Sequence, residues 1–119
     1  MIDCYPGKLN QVFLNIISNA IFAVKEKFKN EPGGKISITS NYNSDRVLIT
    51  IEDNGIGMDE KTRKKIFEPF FTTKNVGEGT GLGMSIVYNT IQKHKGEIAV
   101  ISTPGLGSKF IIELPVNLQ

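Results

Sequence analysis

Ile36-Ser37-Ile38-Thr39-Ser40-Asn41-Tyr42-Asn43-Ser44-Asp45-Arg46-Val47-Leu48-Ile49-Thr50-Ile51 is the stretch on which the architecture turns. Ile36 and Ile38 alternate with Ser37 and Thr39. Val47, Ile49 and Ile51 alternate with Leu48 and Thr50. A period of two predicts two strands, each with one face turned to a core, and the polar Asn43-Ser44-Asp45 between them predicts a hairpin turn. The same grammar returns at the other end of the chain. Strands are expected at about Glu97–Ser102 and Lys109–Val116, joined by Thr103-Pro104-Gly105-Leu106-Gly107. Strands that arrive as sequential pairs pair antiparallel.

Helical periodicity lies outside these pairs. Leu9, Val12, Phe13, Ile16, Ile17, Ala20, Val24 and Phe28 follow the three-four spacing of one helix face, which ends at Asn30-Glu31-Pro32-Gly33-Gly34. A short helix is predicted from Asp59, its N-cap, to Phe67. Residues 68–81 form a glycine-rich loop. A further helix is predicted from about Leu82 to His94, with Ile86, Val87 and Ile91 on its apolar face and Gly96 in the C-cap place. Helix, hairpin, short helix, loop, helix, hairpin predicts an α+β fold. It is a two-layer α/β sandwich, with a mixed, mostly antiparallel sheet and helices packed on one face. A doubly wound parallel sheet would need strict alternation.

Composition narrows the class. The chain has 119 residues, 39 % apolar and 22 % charged, enough for one packed core. Fourteen Lys and Arg against twelve Asp and Glu leave +2, a weak basis for nucleic-acid binding, and the dense basic run Lys61–Lys65 reads as a solvated helix face. One cysteine, Cys4, excludes an internal disulfide framework and suits a reducing compartment. No apolar stretch approaches the ~20 residues that span a bilayer, and the N-terminus has no signal-peptide core. A soluble, cytoplasmic chain is expected.

Five segments carry chemistry. Gln11, Asn15 and Asn19 are spaced by four and stack along one face of the first helix. Asn is a mediocre helix former, and an amide oxygen can ligate Mg²⁺ without adding charge. Asp53-Asn54-Gly55-Ile56-Gly57-Met58 follows the second strand. Asp53 there can accept a hydrogen bond from an amino group, and two glycines permit close approach to a flat ligand. In Phe67-Glu68-Pro69-Phe70-Phe71-Thr72-Thr73-Lys74, Phe67 and Phe70 are expected in the core. Gly77-Glu78-Gly79-Thr80-Gly81-Leu82-Gly83-Met84-Ser85 strips side chains from a loop that runs into a helix N-terminus, an arrangement suited to phosphates. It is neither a Walker loop nor a Rossmann fingerprint, since no Gly-Lys-Ser/Thr follows and no strand precedes it. Gly105-Leu106-Gly107-Ser108-Lys109-Phe110 closes the set.

In order and spacing, these segments together resemble the ATP-binding catalytic domain of sensor histidine kinases, in the superfamily shared with gyrase, Hsp90 and MutL. Asn15-Ile16-Ile17-Ser18-Asn19-Ala20 looks like the N box and Asp53-Asn54-Gly55-Ile56-Gly57 like the G1 box. Residues 67–74 look like the F box, Gly79-Thr80-Gly81-Leu82-Gly83 like the G2 box, and residues 105–110 like the last glycine box. The resemblance covers about Leu9 to Pro115 and implies the Bergerat ATP-binding fold, with ATP and Mg²⁺ as cofactors. It implies that Asn19 ligates Mg²⁺, with Asn15 supporting metal or phosphates. Asp53 would read the adenine amino group, with room left by Gly55 and Gly57, and Met58, Phe67 and Ser108 would line the site. A lid over 68–81 would bring Thr73, Lys74, Gly79, Thr80 and Gly81 to the nucleotide, and backbone N–H groups around Gly81, Leu82 and Gly83 would hold its phosphates. Asn19-Ala20-Ile21-Phe22-Ala23 with Phe71-Thr72-Thr73-Lys74 looks like the nitrogen-regulation branch. Phe22 and Ala23 depart from the basic and aromatic residues common at those places. Asn15 stands where gyrase and Hsp90 carry a glutamate base, which argues against an efficient stand-alone ATPase.

The implied activity is transfer of the γ-phosphoryl group to a histidine on a separate dimerisation domain, in two-component signalling. The sole histidine, His94, lies outside the acceptor motif, and helix capping is its expected role. The acceptor is therefore expected on a dimerisation domain of the same, longer protein, which could be membrane-anchored elsewhere. A response regulator is the further partner, nucleic acid is not, and this piece alone is expected to be a monomer. An anti-sigma-type serine kinase shares the fold, but Phe71-Thr72-Thr73-Lys74 and the intact G2 box favour the histidine kinase. A non-catalytic binding module would be expected to have lost the aspartate or the glycine boxes.

Overall fold

The computed structural model describes residues 6–29, 31–43, 45–68 and 83–115. The first hairpin forms as the alternation predicts. β1 (Ile36–Asn43) pairs antiparallel with β2 (Arg46–Asp53), with Ile38 opposite Ile51 and Tyr42 opposite Val47. The second hairpin, β3 (Glu97–Thr103) and β4 (Gly107–Pro115), docks through β4 onto β2. Among the described residues the sheet runs β1-β2-β4-β3, and every neighbouring pair is antiparallel.

Three helices are described, α1 (Pro6–Phe28), α2 (Glu60–Lys65) and α3 (Gly83–Lys93). α1 and α3 pack against each other and on the same sheet face, α1 over β2 and β4 and α3 against β3. The core is the product of two periods meeting. Leu9, Val12 and Ile16 of α1 and Val87 and Ile91 of α3 bury against Val47, Ile51, Phe110, Ile112 and Leu114 of the sheet. Burying one such side chain is worth roughly 1.5–3 kcal/mol.

Two expectations need correction. Ile38 shares a face with buried Ile51 yet is 57 % exposed, because among the described residues β1 is an edge strand and the helices pack over β2, β4 and β3 instead. Ile86 is exposed too. The inward face of α3 is Met84, Val87, Thr90 and Ile91, a three-four ladder that leaves Ile86 outside it.

The caps are local chemistry. Asp59 accepts from the Thr62 backbone N–H at 2.7 Å, as an N-cap should. At the end of α3 the left-handed residue is Lys95 (φ 60°), not Gly96. The Gly96 N–H reaches Ile91 O and the Lys95 N–H reaches Gln92 O, a Schellman closure. Gly96 is required for another reason, since a Cβ there would strike the Glu113 carbonyl of β4. His94 is buried, and its Nδ1 lies 2.8 Å from Thr90 O, so that nitrogen carries the proton and caps a helix carbonyl.

Candidate functional site

Asp53 ends β2 on the helix-covered side of the sheet and is 6 % exposed. Its register partner on β4 is Ser108, and that of Ser108 on β3 is Ser102. Directly opposed residues in an antiparallel sheet share a face. Asp53, Ser108 and Ser102 therefore form one polar row across three strands. The next row inward on that face, Ile51, Phe110 and Val100, is apolar. The polar chemistry of this face is thus gathered at one end of an otherwise oily surface.

The Asp53 carboxylate is held from two sides. Oδ1 accepts the Gly55 backbone N–H at 2.8 Å, and the Ser108 backbone N–H also donates to the carboxylate. Burial pushes its pKa above the ordinary carboxylate value. The two backbone N–H bonds pull it back in part, and the negative charge of Glu52 adds a smaller upward push.

The turn after Asp53 is clamped by chain packing. The Ile56 N–H donates to Ala23 O of α1 at 3.1 Å, and Ile56 O accepts the Gly105 N–H at 2.6 Å. A Cβ at Gly55 would meet the Ala23 backbone, and one at Gly57 (φ +70°) would fall on the Thr103 carbonyl. These glycines are thus demanded by the protein's own backbone on the side where a Cβ would stand. Asn54 ties the same turn backward, accepting from the Lys35 N–H at 2.8 Å and donating to Gly33 O at 2.9 Å. Lys27 Nζ donates to Gly105 O at 2.7 Å, joining the end of α1 to the β3–β4 turn.

Ser102 was not among the residues singled out in the sequence, yet it organises this corner. Its Oγ accepts the Met58 N–H at 2.7 Å and lies 3.1 Å from Gly107 O and 2.8 Å from Ser108 Oγ. The signal was legible. Ile98, Val100 and Ser102 are the inward positions of β3, and a serine ending an inward apolar series needs polar partners.

A second corner lies toward the other end of α1. The Asn15 amide bridges two elements. Oδ1 accepts from Gln11 Nε2 at 2.8 Å, and Nδ2 donates to Gly83 O, the first residue of α3, at 3.0 Å. Asn19 is half-buried one turn along the same face. Eight residues separate Asn15 from Ala23, about 12 Å of helix at 1.5 Å per residue. Asn15, Asn19 and the Asp53 turn are therefore strung along α1. Phe67 is partly buried against the core, its ring 5.4 Å from that of Tyr88. Phe70, Thr73, Lys74, Gly79, Thr80, Gly81 and Leu82 lie outside the described residues.

Residues 4–118 match the family model described as histidine kinase-, DNA gyrase B- and HSP90-like ATPase. This chain belongs to that family. Two of its relatives are named as kinases. Sporulation kinase E of Bacillus subtilis is 46 % identical over 98 % of this chain and 15 % of its own length. The signal transduction histidine-protein kinase AtoS of Escherichia coli is 46 % identical over 93 % of this chain and 17 % of its own length. The solved catalytic domain of histidine kinase ThkA superposes with a TM-score of 0.77 at 36 % identity, covering 94 % of this chain and 69 % of that one. The chain thus spans less than a fifth of each of those two kinases, and the matched region is the catalytic domain of sensor histidine kinases. Membership in this ATPase family implies ATP binding. Among the described residues, no helix of this family member is long and apolar enough to cross a membrane.

Proposed function

We propose that this chain binds ATP with Mg²⁺ and presents the γ-phosphoryl group to a histidine on a dimerisation domain of the same protein. A histidine nitrogen would attack the γ-phosphorus in line. The new P–N bond would form as the bond to the β–γ bridging oxygen breaks, with ADP leaving. The chain is then the catalytic domain of a longer two-component kinase, at work in the cytoplasm whether or not its parent is membrane-anchored. A response regulator is the downstream partner, and this piece alone is a monomer. Asn19-Ala20-Ile21-Phe22-Ala23 and Phe71-Thr72-Thr73-Lys74 favour the nitrogen-regulation-like branch.

The observation that carries this reading is the buried Asp53 carboxylate in its cross-strand row, with Asn19 and Asn15 displaced along α1 toward the start of α3. A base donating its amino group to Asp53 would send its phosphates toward Asn19 and the α3 N-terminus, where helix N–H groups favour anions. Asn19 offers a neutral amide oxygen, which fits Mg²⁺ carried mainly by phosphates and water. Thr73, Lys74, Gly79, Thr80, Gly81 and Leu82 belong to the phosphate side of the same reading.

Calorimetric titration with ATP and ADP tests it, first with Mg²⁺ and then with excess chelator. Saturable binding that weakens when Mg²⁺ is withdrawn is expected. A folded chain that binds neither nucleotide overturns the reading.

A further inference from the structure

We propose that Ser102 is a positioning residue for base recognition, holding the hydroxyl proton of Ser108 so that the polar row selects a ligand edge that donates N–H, a 6-aminopurine over a 6-oxopurine. The inference rests on the reading of Asp53 as the base contact.

The number of available protons decides the arrangement. Ser102 Oγ has three neighbours at hydrogen-bond distance, the Met58 N–H at 2.7 Å, Gly107 O at 3.1 Å and Ser108 Oγ at 2.8 Å. A hydroxyl has one proton to give and two lone pairs. Met58 N–H is a donor and occupies one lone pair. Gly107 O can only accept and takes the Ser102 proton. The bond to Ser108 must then use the Ser108 proton, donated to the second lone pair of Ser102. All three bonds are satisfied in this one arrangement. Ser108 is left with lone pairs alone on its free side, and its neighbour in the row is the Asp53 carboxylate, also an acceptor.

Two acceptors on adjacent strands suit an amino group, met directly or through one water. A 6-oxo group would set lone pairs against lone pairs. Without the Ser102 hydroxyl, the Ser108 proton is free to rotate and donate to that oxo group. The discrimination built into the row would then shrink. Ser102 itself stands one strand beyond Ser108 and acts through it.

The test is the ratio of IDP to ADP dissociation constants, read by calorimetry on this chain, with far-UV melts to confirm folding. Ser102→Ala should lower the ratio roughly threefold to tenfold, the range of one neutral hydrogen bond. Ser102→Thr keeps a hydroxyl and should retain the wild-type ratio. The double variant with Ser108→Ala should discriminate no differently from Ser108→Ala alone, since Ser102 acts only through Ser108. If Ser102→Ala does not fold, Ser102→Cys, a weak donor of similar size, is read in the same way. An unchanged ratio in the folded variant, or additive effects of the two serines, overturns the proposal. Wild-type chain that binds ADP and IDP equally well overturns it while leaving nucleotide binding intact. Wild-type chain that binds neither overturns the base-site reading and this inference together.

Discussion

Asn15 and Gly83 are 68 residues apart in the chain and joined by one hydrogen bond, from Asn15 Nδ2 to Gly83 O at 3.0 Å. The bond ties the middle of α1 to the first residue of α3, and Gln11 fixes which end of the amide faces Gly83. An amide can do this and a carboxylate cannot, since a carboxylate would point lone pairs at a carbonyl. Asn15→Ala should cost about 0.5–1.5 kcal/mol of stability, the net worth of one such bond. Asn15→Asp should cost more than Asn15→Ala. Urea unfolding of both variants checks the order, and the reverse order would remove the bond from the account.

Asp53 gives the protein a pH signature with a defined sign. Its folded pKa is raised, first by burial. Between the unfolded and folded values the native state therefore binds more protons than the unfolded chain, and stability falls as pH rises through that window. Asp59 and Glu60 have lowered values, from the Thr62 and Arg63 hydrogen bonds, and act in the opposite sense. The contribution of Asp53 is thus read as a difference. Subtracting the Asp53→Asn stability profile from that of wild type should leave a curve that declines with rising pH across the acid range. A flat difference would contradict the burial argument.

The same carboxylate should control affinity. Asp53→Asn is expected to weaken ADP binding by about 1–3 kcal/mol, the cost of a buried polar group left without its partner. Wild-type affinity should also fall as pH drops below the raised Asp53 value, because the protonated group is a poorer acceptor. Titrations of both proteins over a pH series read the two effects at once. Unchanged affinity in the folded Asp53→Asn chain would remove Asp53 from the base site.

Gly57 and Gly107 make close backbone crossings at the same corner. Both have positive φ, and a Cβ at Gly107 would fall on Asp53 O as one at Gly57 would on Thr103 O. Gly57→Ala should cost at least about 1–2 kcal/mol from backbone conformation alone, with the steric clash in addition. A thermal melt of Gly57→Ala within a degree of wild type would show the turn to be more compliant than described.

Lys95 and Gly96 form an inverted pair. Lys95 occupies the left-handed position that glycine fills without penalty, so Lys95→Gly should stabilise the chain by about 0.5–1 kcal/mol. Gly96→Ala should destabilise it, because the methyl group meets the Glu113 carbonyl and the Leu114 side chain. Chemical denaturation of the two variants should move in opposite directions.

Much of the molecule was written in local pattern. The three-four spacing from Leu9 to Phe28, the alternation in Val47–Ile51 and the Asp59 cap each follow from which conformations bury apolar atoms and satisfy backbone groups within a few residues. The antiparallel hairpins and the candidacy of Asn15, Asn19, Asp53 and Ser108 came from the same reading, helped by a family resemblance. Other features depended on partners distant in sequence. Ile38 alternates as correctly as Ile51, but only the placement of α1 decides that one is exposed and the other buried. The roles of Gly55, Gly57 and Gly96 depend on which backbone passes alongside, and no composition of a turn specifies that. The Asp53, Ser108 and Ser102 row exists because β4 inserts between β2 and β3, so polar residues from three separate strands become neighbours. Periodicity is a property of the chain and determines its elements. Register and close approach are properties of pairs of elements, and the tertiary structure alone decided them.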